Sequence, residues 1–308
     1  MIQGADDISD PSGSAPFRRL PKWLQRPIGE PGRATAVENT LAGLHLNTVC
    51  HSAKCPNRSE CFASGTATFL VGGDTCSRSC SFCAVDTAAA LPLDASEPDR
   101  IAKACRKFGL AYVVLTMVSR DDLSDGAAAH MAAVVSAVRQ ALPEAGVEVL
   151  TSDFAGNRAS VDLALQARPA VFAHNLETVE RLYPTIRPQA DYERSLGILE
   201  HAATVAGGST AIKSGFMVGL GEADDEIEDA MRDLHQRGVT ILTVGQYLQP
   251  SPNHAPVHRY LEPREFELIS ERALALGFEK VASAPFVRSS YRADRMIDRD
   301  ASTPRSTP

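Results

Sequence analysis

Between about residue 66 and residue 277 the chain alternates between two hydrophobic periods. Thr66–Gly73 is a short apolar run with β-branched residues, closed by Gly-Gly, and it suits a buried strand. Ser96–Phe108 opens on Ser-Glu-Pro and spaces its apolar residues as a helix does, so a capped helix is expected. Further strands are expected at Tyr112–Val118, Val147–Phe154, Ala170–Leu176, Ala211–Leu220 and Val239–Leu248, with a last short one at Lys280–Ala284. Helices are expected between them at Gly126–Leu142, Arg158–Ala167, Tyr192–Ala206, Asp225–Arg237 and Pro263–Leu276, plus a short one at Thr178–Tyr183. Strands alternating with helices build a parallel sheet with helices outside. Six such pairs point to an α/β chain folded as a barrel or partial barrel, with a doubly wound open sheet as the competing architecture.

The flanks differ in character. Residues 1–16 are rich in Gly, Ser, Pro and Asp and are expected to form a disordered leader. Residues 17–65 make an N-terminal extension that holds the only tryptophan, Trp23, and a short helix near Ala36–His45. Residues 66–278 carry the alternating unit. Residues 279–308 form a C-terminal extension whose end, after Arg292, is a polar tail expected to fray. With 31 Lys+Arg against 38 Asp+Glu the net charge is -7, which disfavours a nucleic-acid backbone as main partner. No apolar run reaches the roughly 18–20 residues needed to span a bilayer, and the N-terminus has no secretory h-region. A soluble, cytoplasmic protein is therefore expected, with no membrane partner.

Six of the seven cysteines fall between Cys50 and Cys83. The second group, Cys76-Ser-Arg-Ser-Cys80-Ser-Phe-Cys83, is C-x3-C-x2-C on a loop that follows the first expected strand. Three thiolates bind three irons of a 4Fe–4S cube and leave the fourth iron open to a substrate or cofactor. In barrels, chemistry gathers at the C-terminal ends of strands, where this loop lies. Zinc is the competing reading, but structural zinc wants four ligands. The first group, Cys50-His-Ser-Ala-Lys-Cys55-Pro-Asn-Arg-Ser-Glu-Cys61, is C-x4-C-x5-C and suggests a second cube, again one ligand short. Burial as small apolar residues fits this polar segment poorly, and a disulfide is not expected in a reducing cytosol. Cys105, in a helix, reads as a core residue.

The C-x3-C-x2-C loop with its aromatic before the last cysteine resembles the radical S-adenosylmethionine (SAM) superfamily, in which the open iron chelates the amino and carboxylate groups of SAM. From Leu44 to Asp294 the chain further resembles lipoyl synthases. The motifs are the C-x4-C-x5-C loop, Gly65–Phe69, Arg120-Asp121-Asp122-Leu123, His174–Val179, Lys213-Ser214-Gly215, Gly219–Glu222, Gly245–Ser251 and Val287-Arg288-Ser289-Ser290-Tyr291. The resemblance implies a partial (β/α)6 TIM-like barrel of the radical SAM type with N- and C-terminal extensions. It implies insertion of sulfur at C6 and C8 of an octanoyl chain carried on a lysine, with two SAM molecules cleaved and the auxiliary 4Fe–4S cluster as sulfur donor. Cys50, Cys55 and Cys61 match the auxiliary ligands, and Cys76, Cys80 and Cys83 the radical SAM ligands. A serine of the Arg-Ser-Ser-Tyr motif would complete the auxiliary cube: Ser289, with Ser290 second. Implied partners are an octanoylated carrier domain (a 2-oxoacid dehydrogenase E2 or a glycine-cleavage H protein), a reductant such as flavodoxin or ferredoxin, and an iron–sulfur cluster carrier. A monomer is expected.

Other residues carry two readings. Asn175 and Glu177 are expected to contact SAM, against a role in capping a helix. Gly219 and Gly221 would let backbone approach SAM, against an ordinary turn. Arg120 and Asp121 would serve the SAM amino group, against an ion pair. Arg187 would meet the SAM carboxylate, against a solvated loop. Arg288 would orient the serine ligand, against a plain ion pair. Lys213 and Gln246 are polar within strands, in the site or in barrel-interior hydrogen bonds. Three departures from the family pattern stand out: Ala127 and Gln189 where glycine is common, and no glycine near Asp86–Pro92. Other sulfur-inserting radical enzymes, such as methylthiotransferases or biotin synthase, remain alternatives, as do a non-catalytic two-cluster protein and a zinc-stabilised module.

Overall fold

The computed structural model describes residues 20–25, 31–63 and 67–297. The expected leader, Gly65 and Thr66 at the start of the first expected strand, and the end of the expected tail from residue 298 lie outside these. The described N-terminal extension holds α1 (Pro31–Gly43), α2 (Val49–Ser52) and α3 (Arg58–Ala63). The strands and barrel helices follow as β1 (Thr68–Val71), α4 (Glu97–Phe108), β2 (Tyr112–Met117), α5 (Ala128–Ala141), β3 (Gly146–Leu150) and α6 (Arg158–Gln166). Next come β4 (Val171–Ala173), α7 (Tyr183–Ile186), α8 (Tyr192–Ala206), β5 (Ala211–Val218), α9 (Asp224–Gln236), β6 (Ile241–Gln246), α10 (Pro263–Leu276) and β7 (Lys280–Ser283).

All seven strands form one parallel sheet in the order β1-β2-β3-β4-β5-β6-β7. A doubly wound sheet reverses its order at a switch point; this one never reverses, so the barrel-type alternative is the one realised. β7 does not pair with β1, and the sheet stays open. The lateral opening is bridged by the two extensions. Asn57 Nδ2 donates to the Phe286 carbonyl (2.8 Å), and Tyr291 Oη donates to Glu60 Oε1 (2.8 Å). On the outer edge, Leu70 N donates to the Asn47 carbonyl (2.9 Å), so the chain entering the cysteine segment covers the free side of β1.

The register separates two faces. Val149 pairs with Leu115 and Phe172, and these pack with helix residues such as Ile101, Met131 and Leu199 in one large core. The alternate positions face inward: Val171, Ala173 and Ile241 form a second core against Leu150, Ala211, Met296 and Ile297. The C-terminal extension thus fills part of the barrel interior. Strand side chains alternate faces, which puts Glu148 (paired with Val171) and Lys213 (paired with Ala173) on this inner face.

Ser96 does not cap α4 through its side chain; its hydroxyl donates instead to Asp94 Oδ1, which also accepts from Ser96 N. The chain after α4 turns through Gly109 in the left-handed conformation, as a C-terminal glycine allows. Cys105 is fully buried in the core. Among the described residues no helix is long and apolar enough to cross a membrane.

Candidate active site

Most expected site residues after β1 lie beyond the C-terminal end of a strand; Lys213 and Gln246 lie within strands, and Arg187 ends α7. The C-x3-C-x2-C loop follows β1 and is pinned by its own polar residues. Arg78 donates to both carboxylate oxygens of Asp121 after β2 (2.7 and 2.8 Å) and to Asp153 Oδ1 after β3 (2.6 Å). Asp153 also accepts from Arg194 Nε (2.8 Å). Burial alone would raise the Asp153 carboxyl, but the Arg78 hydrogen bond and the charges of His174, Arg78 and Arg194 outweigh it and hold it well below the usual range. Ser79 N donates to Gln189 Oε1 (2.6 Å), and Ser119 N to the Cys76 sulfur (3.3 Å). The sequence patterns assign no site role to Arg78, Asp153 or Gln189. The only sequence signal for Asp153 is an acidic residue near the end of an expected strand.

All seven cysteines are free. Beside Cys80 and Cys83 a cavity of about 470 Å³ opens, lined also by Asp86, Asn253 and His254. His254 bridges Ser251 and the Cys83 carbonyl. Among the described residues no three His, Cys, Asp or Glu side chains converge on one point as the donors of a single ion do. A cube takes one thiolate on each of three irons, so it needs three free thiols on one loop beside open space. That donor set is present. Burial raises the Cys80 thiol and pushes Cys83 up to about 12, and the neighbouring thiols of the loop add to both rises by charge. Metal binding to such thiols releases protons.

Arg187, Glu177 and Asn175 meet this loop. The Arg187 charge opposes the rise at Cys80, and Glu177 adds to it. Arg187 is buried, donates through Nη1 to the carbonyls of Asn175 and Leu176, and packs over the Tyr183 ring, but its buried Nε has no hydrogen-bond partner among the described residues. Glu177 is held at a positive φ of 67° while its N–H and carbonyl bridge to β5, and a non-glycine residue there is strained. Burial pushes its carboxyl up, against the pull of Arg187 and the Asn175 amide. The unpartnered guanidinium nitrogen and this carboxyl suit a ligand carrying both carboxylate and amino groups. His174, 2% exposed, donates from Nδ1 to the Thr151 carbonyl, and its Nε2 is buried without a partner among the described residues.

Ser289 is brought to Asn175: its hydroxyl donates to Asn175 Oδ1 (2.8 Å), and Asn175 Nδ2 donates to Glu177 Oε1 (3.0 Å). Its neighbours Tyr291 and Arg292 reach Glu60, beside Cys61. Cys50 is buried, and burial raises its thiol, with Cys55 adding charge. Arg288 donates to the Val287 carbonyl. Arg120 is placed in a bidentate pair with Asp122 and donates to the Gly72 carbonyl. Both glycines of the β5 turn have positive φ, and their space is taken. A Cβ at Gly219 would stand 2.1 Å from Gln246 Nε2, and one at Gly221 would stand 3.1 Å from His258. Gln246 lies on the helix-facing side of β6 and is satisfied by the carbonyls of Val218, Tyr247 and Arg259 and by Leu261 N. Lys213 differs, with partners inside the barrel.

The radical SAM superfamily model matches residues 70–234. Among solved structures, methylornithine synthase aligns over 88% of this chain and 88% of its own, with a TM-score of 0.53 at 16% identity. The FeFe-hydrogenase maturase HydG from Carboxydothermus hydrogenoformans aligns over 69% of this chain and 57% of its own, with a TM-score of 0.51 at 16% identity. An open parallel barrel with three free thiols on its first loop is the frame of a radical SAM enzyme. Lipoyl synthase from Rubrobacter xylanophilus is 47% identical over 294 residues, 94% of this chain and 91% of the relative. Lipoyl synthase from Oleidesulfovibrio alaskensis is 48% identical over 290 residues, 94% and 99% of the two chains. The chain belongs to the lipoyl synthase family and is a radical SAM enzyme that inserts sulfur, with SAM and 4Fe–4S clusters, one of them auxiliary, as its cofactors.

Proposed function

We propose that the two cysteine sets divide the labour of making a lipoyl group. Cys76, Cys80 and Cys83 hold the cluster whose open iron takes SAM. Cys50, Cys55 and Cys61 hold the sulfur-donating cluster, with Ser289 on its fourth iron. The observation that carries this reading is the double attachment of the C-terminal segment. It is tied to the cysteine-bearing extension through Phe286, Tyr291 and Arg292, and to the strand-end residues through Ser289 and Asn175.

The substrate is a protein-bound octanoyl-lysine, whose C6 and C8 hydrogens are beyond acid–base chemistry. When bound, SAM and its cluster supply a carbon-centred radical strong enough to take those hydrogens, and the auxiliary cluster supplies the sulfur. The chain's residues bind, orient and exclude water. Arg187, with its unpartnered Nε, meets the SAM carboxylate, and Glu177 and Asn175 meet its amino end. Arg78, Asp121 and Asp153 hold the cysteine loop against β2 and β3. Arg120 with Asp122, and the glycine turn at Gly219 and Gly221, shape the same rim, and Arg288 steadies the serine turn. His174, lowered to about 4 by burial and by the Arg187 charge, stays neutral in the site.

The carrier is an octanoylated E2 or H-protein domain. Electrons come from a flavodoxin or ferredoxin, and an iron–sulfur carrier rebuilds the auxiliary cluster, in the cytoplasm, with the enzyme a monomer.

Anaerobic reconstitution with dithionite, SAM and an octanoyl-lysine peptide tests the division. Replacing Cys76, Cys80 and Cys83 by alanine is expected to abolish SAM cleavage. Replacing Cys50, Cys55 and Cys61 is expected to leave 5′-deoxyadenosine release but no sulfur in the peptide. Sulfur insertion by the second variant would overturn the assignment.

A further inference from the structure

Lys213 is 1% exposed on the inner face of β5. A buried ammonium is costly unless its donors are used. Its Nζ donates to Glu148 Oε1 (2.7 Å) on β3, and the other carboxylate oxygen of Glu148 accepts from Tyr112 Oη (2.9 Å) on β2. A pair built only to satisfy itself would end there. Lys213 instead spends a second donor on the backbone carbonyl of Ser289 (2.6 Å), in the C-terminal extension. The same residue's hydroxyl goes to Asn175. The turn closes locally as Tyr291 N donates to the Arg288 carbonyl (2.9 Å).

We propose that Lys213, steadied by Glu148 and Tyr112, is a positioning residue that anchors the backbone of Ser289 from inside the barrel, leaving its hydroxyl, which now meets Asn175, available as the residue that would hold the fourth iron of the auxiliary cluster. The proposal rests on Ser289 as the cluster ligand, and it deepens that reading. Charge is what makes the anchor firm, because Glu148 on a rigid strand fixes where the ammonium stands and the carbonyl must come to it. Asn57 holds the segment at the Phe286 carbonyl, while the Ser289 carbonyl itself is held by Lys213.

The test uses the full chain and two readouts. Amide exchange of Tyr291 reports the anchor without any metal. Mössbauer spectroscopy of the auxiliary cluster, reconstituted in a background with Cys76, Cys80 and Cys83 replaced by alanine, reports whether one iron differs from its three thiolate-ligated neighbours. The double variant E148Q/K213M removes the pair without stranding a charge. It is expected to speed Tyr291 exchange at least about tenfold while the amides of Val149 and Phe172 stay protected, and to erase the distinct iron. Wild-type exchange and a retained distinct iron overturn the proposal. If the double variant does not fold, E148Q alone decides: exchange about threefold faster at Tyr291 supports the anchor, and unchanged exchange overturns it. S289A serves as the control for the ligand reading. It is expected to lose the distinct iron and keep wild-type exchange. A distinct iron surviving in S289A refutes Ser289 as ligand, and the exchange arm then decides the anchor by itself.

Discussion

Arg78 Nη2 and Asp153 Oδ1 stand 2.6 Å apart, joining the middle of the C-x3-C-x2-C loop to the end of β3. Both side chains are buried, Asp153 completely. The loop that carries three thiols is therefore fastened by charge to the barrel and does not rely on metal for all of its shape. Asp153→Ala strands part of the Arg78 charge and removes a partner of Arg194. It is expected to destabilise the fold by about 3 kcal/mol, as for other broken buried pairs. Asp121, whose side chain is 35% exposed, shares Arg78 with solvent, and Asp121→Ala is expected to cost about 1 kcal/mol. Denaturant unfolding of both variants checks the ranking, and equal losses would contradict it.

A second expectation concerns acid. His174 is lowered from 6.5 to about 4 by burial, with the Arg187 and Arg78 charges adding and Asp153 opposing. In the unfolded chain it takes a proton near its ordinary value, while in the fold it resists until far lower pH. The unfolded state then binds more protons between those two values, so stability falls as pH drops from 6.5 towards 4 and is intact above 6.5. The loss approaches about 3 kcal/mol from this one group, at about 1.4 kcal/mol for each tenfold change in proton affinity. His174→Gln keeps a donor for the Thr151 carbonyl and does not titrate. Unfolding free energies measured across this range are expected to be flatter for the variant than for the parent, and parallel curves would contradict the assignment.

How far the sequence reaches is visible at particular residues. The parallel barrel is legible because strands buried on both faces read as continuous apolar runs, and Tyr192–Ala206 and Pro263–Leu276 match the expected helices at both ends. Strand ends are overrun. The expected Val147–Phe154 stops at Leu150: Thr151 still donates to the Ala173 carbonyl, and beyond it the buried Asp153 turns to Arg78. The helices Val49–Ser52 and Arg58–Ala63 are too short for periodicity to reveal, although the cysteine spacing within them is plain. The clamp of Arg78 on Asp153 is invisible in sequence, since nothing local pairs residues so far apart. The same holds for Glu177, whose left-handed backbone is imposed by its bridge to β5 and not by residue type.

The Gln189 side chain accepts from both Ser79 N (2.6 Å) and Ser79 Oγ (3.1 Å). These bonds tether the Arg187 loop to the cysteine loop. Gln189→Gly is expected to lower stability by about 1 kcal/mol, a typical net value for such bonds. The Ser79 amide is expected to exchange about fivefold faster, with Cys83 and Ser119 amides little changed. Unaltered exchange at Ser79 would show that the loop is held without Gln189.

Ala127 sits at φ 66° with only 1% exposure, directly before α5. Three effects compete when its side chain changes. Relief from the left-handed conformation is worth about 1–2 kcal/mol to a glycine. Against that, glycine gives the unfolded chain about 0.4–1 kcal/mol of entropy, and loss of a buried methyl costs about 0.8 kcal/mol. Ala127→Gly is therefore expected to be neutral within about 0.5 kcal/mol, since these opposing magnitudes nearly cancel. A β-branched side chain gains none of the relief and adds volume where there is no room, so Ala127→Val is expected to cost more than about 2 kcal/mol. The hydrogen bond from Ala127 N to Asp125 Oδ1 (3.0 Å) ties this residue's backbone to the preceding turn. Thermal unfolding of the pair checks the prediction, and a tolerated valine would mean that this turn relaxes out of the left-handed region.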